Sequence, residues 1–571
     1  MGHDRTTSDT RTPPRDRPWA RHAGLAVTAL AALQQVLLAA GAGGFLPGWQ
    51  PWPLLLLGAP LLWLGRGGRL PSAHPGRRPL RAAGLPRGLP AAGVLALTAG
   101  VWAVLQDDEP WIGHEESVYA NKARSWTEGG PPDAGWGVYR PIGLPLLGTL
   151  ALRVDDSVGA LRAVTLLLAL FTMAVVLAVA ARWTTPSTAV LTGLLLLSGL
   201  GFLRRVPEFL NDIGSTGLLL LIVFVLTRAQ ERPGSRALFA LPPLVLAAFH
   251  LRYGVVGNLA AIALAALLAY GPRAWLAHGR RLALAGGAIL LGLLPHFLYA
   301  TRLTGSPLGL LTRATSQAER AFIGDGLLYY LAILPYRLAG DLGGVVMFAG
   351  LAATAAAIRR LRGRRAVPDD RRTVFLGATS VLVPVVLGIA TDGEPRFVYL
   401  PVILLTVLGV RAIRTAAGDL SRAVAAAVAA LAVLTVLGTV QVVAHGAMPG
   451  PTEQARSTVP VARALAARDG EPCLLVTGYE PESGWYSGCD AVTYRQYRRM
   501  AGPPEGTRVS LIRYTRGRHQ PGAEGIRRLV GDRRSETLRI PTEGSLGTAT
   551  VVSFGGPPRP VRGQGTDGPS T

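Results

Sequence analysis

The sequence predicts an all-α polytopic membrane protein of about thirteen transmembrane helices that ends in a small extracytoplasmic α/β domain. Of its 571 residues, 49% are hydrophobic and only 16% are charged, whereas soluble domains carry about 25% charged residues. Apolar runs of roughly 17 to 25 residues recur along the chain up to residue 445 and can cross a ~30 Å hydrocarbon core. The runs are continuously apolar rather than alternating, which indicates helices rather than the strands of a barrel.

Each apolar run is interpreted as one transmembrane helix. Two further apolar segments, 142–153 and 325–337, are too short to span comfortably, and we expect interfacial or re-entrant helices there. The second, seventh and eighth runs are the shortest or most closely coupled to a neighbour. The thirteen predicted spans lie near residues 24–43, 51–65, 89–106, 158–181, 186–203, 213–228, 236–250, 254–271, 281–300, 341–358, 373–391, 397–413 and 421–444.

The loop charges predict the orientation of the chain. Arginines concentrate between residues 66 and 87 and again between 359 and 372, whereas the loop at 107–157 carries nine acidic residues. The positive-inside rule places the arginine-rich loops in the cytoplasm. The sequence therefore predicts a multi-pass plasma-membrane protein with a cytoplasmic N-terminus, and an odd number of spans places residues 446–571 outside.

The formal net charge of +23 does not indicate nucleic acid. Lys122 is the one lysine of the chain, so nearly all the positive charge is arginine, and the arginines cluster where the positive-inside rule places them. The partners that the sequence predicts are membrane lipids, and nucleic acid is excluded.

The composition changes after residue 445, where short strands are predicted at 473–477, 509–514 and 548–554 and helices at 459–468 and 524–531. This part contains both cysteines, Cys473 and Cys489. Outside the cytoplasm they are expected to form a disulfide, with two unpaired thiols as the alternative. The predicted organisation is a disordered cytoplasmic tail at 1–22, two N-terminal helices with a basic loop at 23–88, a transmembrane core at 89–445, an α/β domain at 446–556 and a disordered tail at 557–571.

The first large external loop contains the most informative pattern, GHEESVYANKARSWTEGG at 113–130. Glu115 and Glu116 follow the end of a predicted span, and Tyr119 lies one helical turn after Glu115. A carboxylate at the mouth of a membrane cavity is suited to act as a general base for a hydroxyl nucleophile. The alternative is a solvated acidic face without a catalytic role.

In two other predicted external loops, an ionisable residue lies next to the end of a predicted span. Asp212 lies in a short loop before a predicted span, and Arg252 lies between two closely spaced spans. An ionisable residue at this depth indicates a functional site, although an arginine that reaches the headgroups or a set of interfacial charges remains the alternative.

The external loop resembles that of the GT-C superfamily of polyprenyl-phosphate-sugar-dependent glycosyltransferases, such as protein mannosyltransferases and aminoarabinose transferases. In that family an acidic pair precedes a small residue, an aromatic, an Ala-Arg and a Gly, and then a stretch like RPIGLPLL. The segment TDGEPRFVYLPVILL (391–405) is similar to a late loop of the family. The matching residues of the first loop are Glu115, Glu116, Ser117, Tyr119, Ala123, Arg124, Gly129, Arg140, Pro141 and Pro145.

The resemblance implies transfer of a sugar, with inversion, from a polyprenyl-phosphate carrier to a hydroxyl of an extracytoplasmic glycan, lipid or protein. It implies that Glu115 is the catalytic base, with Glu116 as a rival because Glu replaces the usual Asp. Asp212 would orient the acceptor or hold a divalent cation, although the sequence establishes no metal site. Arg252 and Arg396 would bind the donor phosphate. The supporting residues are His114, Tyr119, Arg140, Glu394 and Tyr399.

The chain departs from the family in its first two predicted spans, because the family typically has one span before the acidic loop. This implies two additional N-terminal helices on an eleven-span core. No phosphate-binding loop, dinucleotide fingerprint, zinc-ligand cluster or nucleophile elbow is evident, which argues against direct use of a nucleotide sugar. Two other classes remain open. A transporter or flippase of lipid-linked sugars predicts an internal repeat, which is not seen. A non-catalytic cell-envelope assembly protein predicts that neutralising Glu115 and Glu116 leaves function intact.

Overall fold

The computed structural model describes most of the predicted membrane region and of the C-terminal domain. The basic loop at 66–87, the predicted tail at 557–571 and most of the predicted tail at 1–22 lie outside the described residues. The described residues are 17–46, 51–65, 88–108, 111–127, 140–232, 234–316, 322–333, 336–363, 367, 369–417, 422–445, 451–469, 472–500 and 502–555.

Helices dominate the chain up to residue 445, as the hydropathy pattern predicts. Short 3-10 turns at Ala237–Ala240 and Pro395–Val398 precede the helices that begin at Leu241 and Tyr399. The helices are α1 (Pro18–Ala39), α2 (Trp52–Gly65), α3 (Leu89–Asp108), α4 (His114–Thr127), α5 (Gly143–Leu152), α6 (Val158–Trp183), α7 (Pro186–Ser198), α8 (Leu200–Leu203), α9 (Asp212–Glu231), α10 (Leu241–Leu251), α11 (Val255–Tyr270), α12 (Pro272–Leu276), α13 (Gly279–Thr304), α14 (Gly309–Ser316), α15 (Asp325–Ile333), α16 (Tyr336–Arg362), α17 (Asp370–Ala390), α18 (Tyr399–Ala417) and α19 (Arg422–Ala444).

The predicted number of thirteen spans is not confirmed, although a helix lies in each predicted segment. Among the described residues, nine helices are long and apolar enough to cross a membrane. The segments occupied by α2, α7, α10 and α11 give shorter apolar helices. One reason is visible after α7, where Gly199 is extended (φ −72°, ψ 119°) and separates α7 from α8.

Two central helices bring their ends to the site described below. The first is α9, and the second is the span Pro395–Ala416, which includes nearly all of α18. In each, 78% of the residues in the most apolar window are buried inside the protein, whereas the value for α13 is 11%. A helix that is apolar all round and enclosed on all sides belongs to the interior of a bundle. Asp212 is the first residue of α9 and Arg396 lies just before α18, so both side chains are held at the ends of the most enclosed helices.

The C-terminal part forms the predicted α/β domain, with helices α20 (Pro451–Asp469), α21 (Glu480–Ser487), α22 (Tyr494–Tyr497) and α23 (Ala523–Val530). Its strands are β1 (Cys473–Val476), β2 (Asp490–Val492), β3 (Arg508–Tyr514), β4 (Ser535–Ile540) and β5 (Ala549–Gly555). The five strands form one sheet in the order β2-β1-β3-β5-β4. β1 pairs parallel with β2 and β3, and β5 pairs antiparallel with β3 and β4.

Two of the five strands have no clear sequence signal. β2 has only three residues, and β4, an edge strand, is mostly exposed and reads SETLRI. Charged side chains on an edge strand discourage pairing with other chains, but they also remove the alternation that identifies a strand. The three predicted strands are β1, β3 and β5.

A disulfide joins Cys473, the first residue of β1, to Cys489, the residue before β2. The Cα atoms are 5.1 Å apart and the cysteines are separated by 16 positions. The bridge therefore closes a loop that contains all of α21.

We expect the Cys473→Ser, Cys489→Ser variant to unfold at a lower temperature in its C-terminal domain. Opening a loop of this size costs about 3 kcal/mol, because the bridge restricts the unfolded chain. The measurement is thermal unfolding of the detergent-solubilised full chain, followed by tryptophan fluorescence. Wild type treated with a reductant is the control and should show the same decrease. An unchanged midpoint in both samples would contradict a stabilising bridge.

Candidate active site

Helix α4 carries the acidic pair and lies among other parts of the protein rather than on its surface. Every residue from Glu116 to Ala123 is buried. Glu115 and Glu116 occupy the first turn, where a negative charge is favoured by the helix dipole. Their side chains leave the helix about 100° apart, and they have different partners.

Glu115 is held by Arg396 from the start of the α18 span. Nη2 of Arg396 donates to Oε1 of Glu115 at 2.7 Å, and Nη1 donates to Oε2. Burial would raise the pKa of Glu115, but the hydrogen bond and charge of Arg396 outweigh it, together with the charges of Arg140 and Arg205, and lower the pKa to about 2. The Glu115 side chain remains 36% exposed, so it is the accessible carboxylate of the pair.

Asp212 lies between the two arginines that the sequence analysis singled out. Nη1 of Arg252 is 2.8 Å from Oδ1 of Asp212, and Nε of Arg396 is 4.0 Å from Oδ2. The ring of Phe397 packs against both guanidinium groups, with its centroid 4.3 Å from Cζ of Arg252 and 5.5 Å from Cζ of Arg396. The planes of both arginines are thus fixed by a carboxylate and an aromatic ring.

Glu394 completes the cluster, with Oε1 at 3.7 Å from Nη2 of Arg396. Burial raises its pKa, and the charge of Arg396 opposes this effect without reversing it. The turn before Glu394 depends on Gly393, whose φ of +83° is poorly accessible to other residues. Arg396 is therefore shared by three carboxylates from three parts of the chain.

Glu116 faces away from this cluster and has four donors of its own. Its oxygens accept from the backbone N–H groups of Gly113 at 2.9 Å and Phe209 at 2.7 Å. Nε and Nη2 of Arg162 lie 3.3 and 3.2 Å away. Glu116 is 3% exposed. A carboxylate with this many partners is anchored, and the geometry favours Glu115 over Glu116 as the reactive group.

The predicted supporting residues divide into two groups. The hydroxyl of Tyr119 accepts from Nδ2 of Asn211 at 3.0 Å, and Cζ of Arg140 lies 5.4 Å from the Tyr119 ring. Tyr399, by contrast, is 1% exposed and donates to the carbonyl of Gly201, so it packs the core beneath the site. His114 is directed to the C-terminal domain rather than to Glu115.

The sequence patterns did not identify three residues that contact the predicted site residues. Arg162 lies within the apolar run of α6, where a charged residue is costly and is itself a signal. Asn211 joins Tyr119 to the carbonyl of Leu251, donating at 2.8 Å, and an isolated asparagine gave no signal. Glu482 lies 368 positions from His114, and no local pattern relates the two.

Helix α21 of the C-terminal domain docks on α4. Nδ2 of Asn121 donates to the carbonyl of Pro481 at 2.7 Å. Arg124 donates to the carbonyl of Trp485 at 2.9 Å and covers its ring, with Cζ 3.4 Å from the centroid. The middle and the last turn of α4 are therefore both held by the domain.

His114 makes the contact with α21 nearest to Glu115. Its Nδ1 is 3.0 Å from Oε2 of Glu482, which is 4% exposed. Burial lowers the pKa of His114, but the hydrogen bond and charge of Glu482 outweigh it and raise the pKa to about 9. His114 is therefore a cation at neutral pH.

The surroundings of Asp212 do not fit a divalent cation, because two guanidinium groups already approach its carboxylate. Within the described ranges, no group of three or more His, Cys, Asp and Glu side chains is placed to hold a metal ion. A cation at Asp212 stays a prediction of the sequence, and no step proposed below uses one.

Comparison with solved structures places this geometry on a known fold. ArnT from Cupriavidus metallidurans bound to undecaprenyl phosphate matches with a TM-score of 0.61 at 14% identity, over 82% of this chain and 98% of that chain. Its apo state gives 0.61 and 14% over 81% and 97%. The oligosaccharyltransferase of Archaeoglobus fulgidus with Zn and sulfate gives 0.44 at 12% over 71% and 62%, which is too low to support an inference.

No protein-family model and no characterised protein sequence matches the chain. At 14% identity, the similarity to ArnT establishes the fold. The chain is a multi-pass membrane protein with an ArnT-like fold, as the order of its motifs predicts.

We expect Glu116→Gln to destabilise the protein more than Glu115→Gln does, because the Glu115 side chain is 36% exposed and Arg396 keeps Glu394 and Asp212 as neighbours. The side chains of Glu116 and Arg162 are 4% and 3% exposed, and removing one charge of such a buried pair costs about 3–5 kcal/mol. The measurement is the midpoint of thermal unfolding of both variants in the same detergent. A stable Glu116→Gln variant that loses its activity would instead make Glu116 the reactive carboxylate.

Proposed function

We propose that the chain is a membrane glycosyltransferase that transfers a sugar from a polyprenyl-phosphate carrier to an extracytoplasmic acceptor hydroxyl with inversion. The observation that carries the proposal is the contact of an accessible carboxylate, Glu115, with Arg396, which lies beside Arg252 around Asp212. A base and a pair of phosphate-binding cations are the groups that this reaction requires. The fold shared with ArnT, solved with undecaprenyl phosphate bound, supports a carrier of this class.

The proposed reaction is one displacement at the anomeric carbon. Glu115 accepts the proton of the acceptor hydroxyl as its oxygen attacks the carbon from the face opposite the phosphate. The bond between the anomeric carbon and the phosphate oxygen breaks, and its electron pair leaves with the lipid phosphate. Arg252 and Arg396 stabilise the charge that develops on this oxygen. Glu115 then releases its proton to water.

The salt bridge of Glu115 makes it a weak base before the donor binds. A carboxylate with a pKa of about 2 attracts a proton poorly, and general bases work best with a pKa near the operating pH. The donor phosphate is a second anion that competes for the fork of Arg396. When Arg396 turns to the phosphate, Glu115 loses the partner that lowers its pKa. Donor binding therefore activates the base in this proposal.

Asp212 would keep both arginines in place during the reaction and orient the acceptor. Arg140, whose charge contributes to the low pKa of Glu115, and Glu394 would complete the polar surroundings of the donor. We further infer that the N-terminus is cytoplasmic and that the C-terminal domain is extracytoplasmic. The disulfide Cys473–Cys489 supports this orientation, because such bridges form and persist in oxidising compartments.

We expect purified protein in lipid vesicles to turn over at least one member of a panel of labelled polyprenyl-phosphate sugars. Glu115→Gln should decrease turnover by about 10²–10⁴-fold, the usual contribution of a general base, and Arg396→Ala should weaken it. Glu505→Gln, at an exposed carboxylate of the C-terminal domain, is the matched control and should behave as wild type. Turnover that survives Glu115→Gln would exclude the mechanism, and no turnover with any donor would favour a transporter or an assembly protein.

We expect different acid limbs in the pH profiles of kcat and kcat/KM. The pKa of Glu115 in the free enzyme is lowered from 4.5 to about 2, so its carboxylate is ionised at every pH well above 2 and kcat/KM should not decrease between pH 7 and 4 on its account. After Arg396 moves to the phosphate, the pKa rises, and kcat should decrease at a higher pH than kcat/KM does. Coincident acid limbs would show that donor binding leaves the Glu115 pair intact.

A further inference from the structure

A cavity of about 480 Å³ opens where the C-terminal domain meets the start of α4. Its walls come from the α4 residue His114, from the end of β1 and from the loop after β3. This volume is within the range of small-ligand sites. The cavity is lined by His114, Gln454, Gly478, Tyr479, Arg516, Arg518, His519, Ser545 and Leu546.

Two arginines give the cavity an uncompensated positive charge. The side chains of Arg516 and Arg518 are exposed and form no hydrogen bond or ion pair with another residue in the part of the chain that the structure describes. Two carboxylates lie nearby. Glu482 is paired with His114 at 3.0 Å and accepts from Nε2 of Gln454 at 2.9 Å, and burial raises the pKa of Glu480. Glu482 therefore compensates His114, and among the described residues neither acid forms an ion pair with Arg516 or Arg518.

The loop that carries these arginines is anchored by contacts within the C-terminal domain. His519 is the one non-glycine residue with a positive φ (54°) among those described, a conformation that persists where the surroundings impose it and that is common in ligand-binding segments. Oε1 of Gln520 accepts from the N–H of Tyr514 at 2.9 Å, and the N–H of Arg518 donates to the hydroxyl of Tyr479 at 3.0 Å. A Cβ on Gly478 would lie 2.6 Å from the carbonyl of Arg518, so the close approach of the loop requires glycine.

The cavity is adjacent to the proposed base. His114 lines it and Glu115 is the next residue, with Cα atoms about 3.8 Å apart. Glu115 lies among Arg396, Asp212 and Arg252 on one side, and His114 reaches α21 on the other. His114 is also close enough to Glu115 for the charge of that carboxylate to contribute to the raised pKa of His114.

We propose that this cavity binds an oxyanion, either a phosphate or a carboxylate, borne by the acceptor saccharide, and that Arg516 and Arg518 hold it so that a neighbouring hydroxyl reaches Glu115. The proposal rests on the proposed glycosyltransferase function and specifies the acceptor as an anionic glycan. Arginine suits both anions because its fork matches their paired oxygens.

The test is a binding measurement on the full chain in lipid nanodiscs, without donor. The probes are a neutral disaccharide, the same disaccharide with a 6-phosphate and the same disaccharide with a 6-carboxylate. Wild type should bind at least one anionic probe about tenfold or more tightly than the neutral one, as charge-assisted contacts to arginine predict, and the preference should weaken with salt. The stronger of the two anionic probes identifies the oxyanion.

The variant Arg516→Gln, Arg518→Gln should lose this preference. The control is Arg495→Gln, Arg499→Gln, which removes the same charge from exposed positions of the same domain that do not line the cavity, and it should keep the preference. Equal binding of all three probes by wild type, or equal loss in both double variants, would overturn the proposal. Because no donor is present, a failure of sugar transfer would count against the proposed function and not against this site.

Discussion

The buried carboxylate of Glu116 joins three parts of the chain that are distant in sequence. It binds Arg162 of α6, the backbone at Phe209 before α9 and the backbone at Gly113 before α4. An ion pair at this depth is not strong evidence for stability, because the loss of solvation offsets much of the attraction. Its effect here is positional. It sets the rotation of α4, and this rotation directs Glu115 toward Arg396.

The charge cluster around Arg396 holds both arginines in position before a new anion binds. Three carboxylates, Glu115, Asp212 and Glu394, approach two arginines, Arg252 and Arg396. Each arginine is oriented by an acid and by the ring of Phe397, so neither needs to reorganise far to meet a new anion. A site prepared in this way loses little conformational entropy on binding. In the proposed mechanism, the one contact that must break is the contact with Glu115.

Most residues of the charge cluster could be singled out from the sequence, but the contacts between them could not. Glu115, Asp212, Arg252 and Arg396 each stand out because charged residues near apolar runs are rare and costly. Their pairing was not accessible, because Glu115 and Arg396 are separated by 281 positions. Arg162 was overlooked within an apolar run. The predicted number of spans is not confirmed, and hydropathy does not record the break at Gly199 between α7 and α8. β2 and β4 are too short or too polar to show a strand pattern.

The docking of α21 on α4 has a consequence for the biogenesis of the protein. His114 and Glu482 are 368 positions apart, and synthesis proceeds from the N-terminus, with domains folding as they emerge. Helix α4 is therefore made long before its docking partner exists. If the C-terminal domain folds only after export, α4 receives its last contacts when the final segment has crossed the membrane and its cysteines have been oxidised. The site would then be complete only after the C-terminal domain has been exported and has folded.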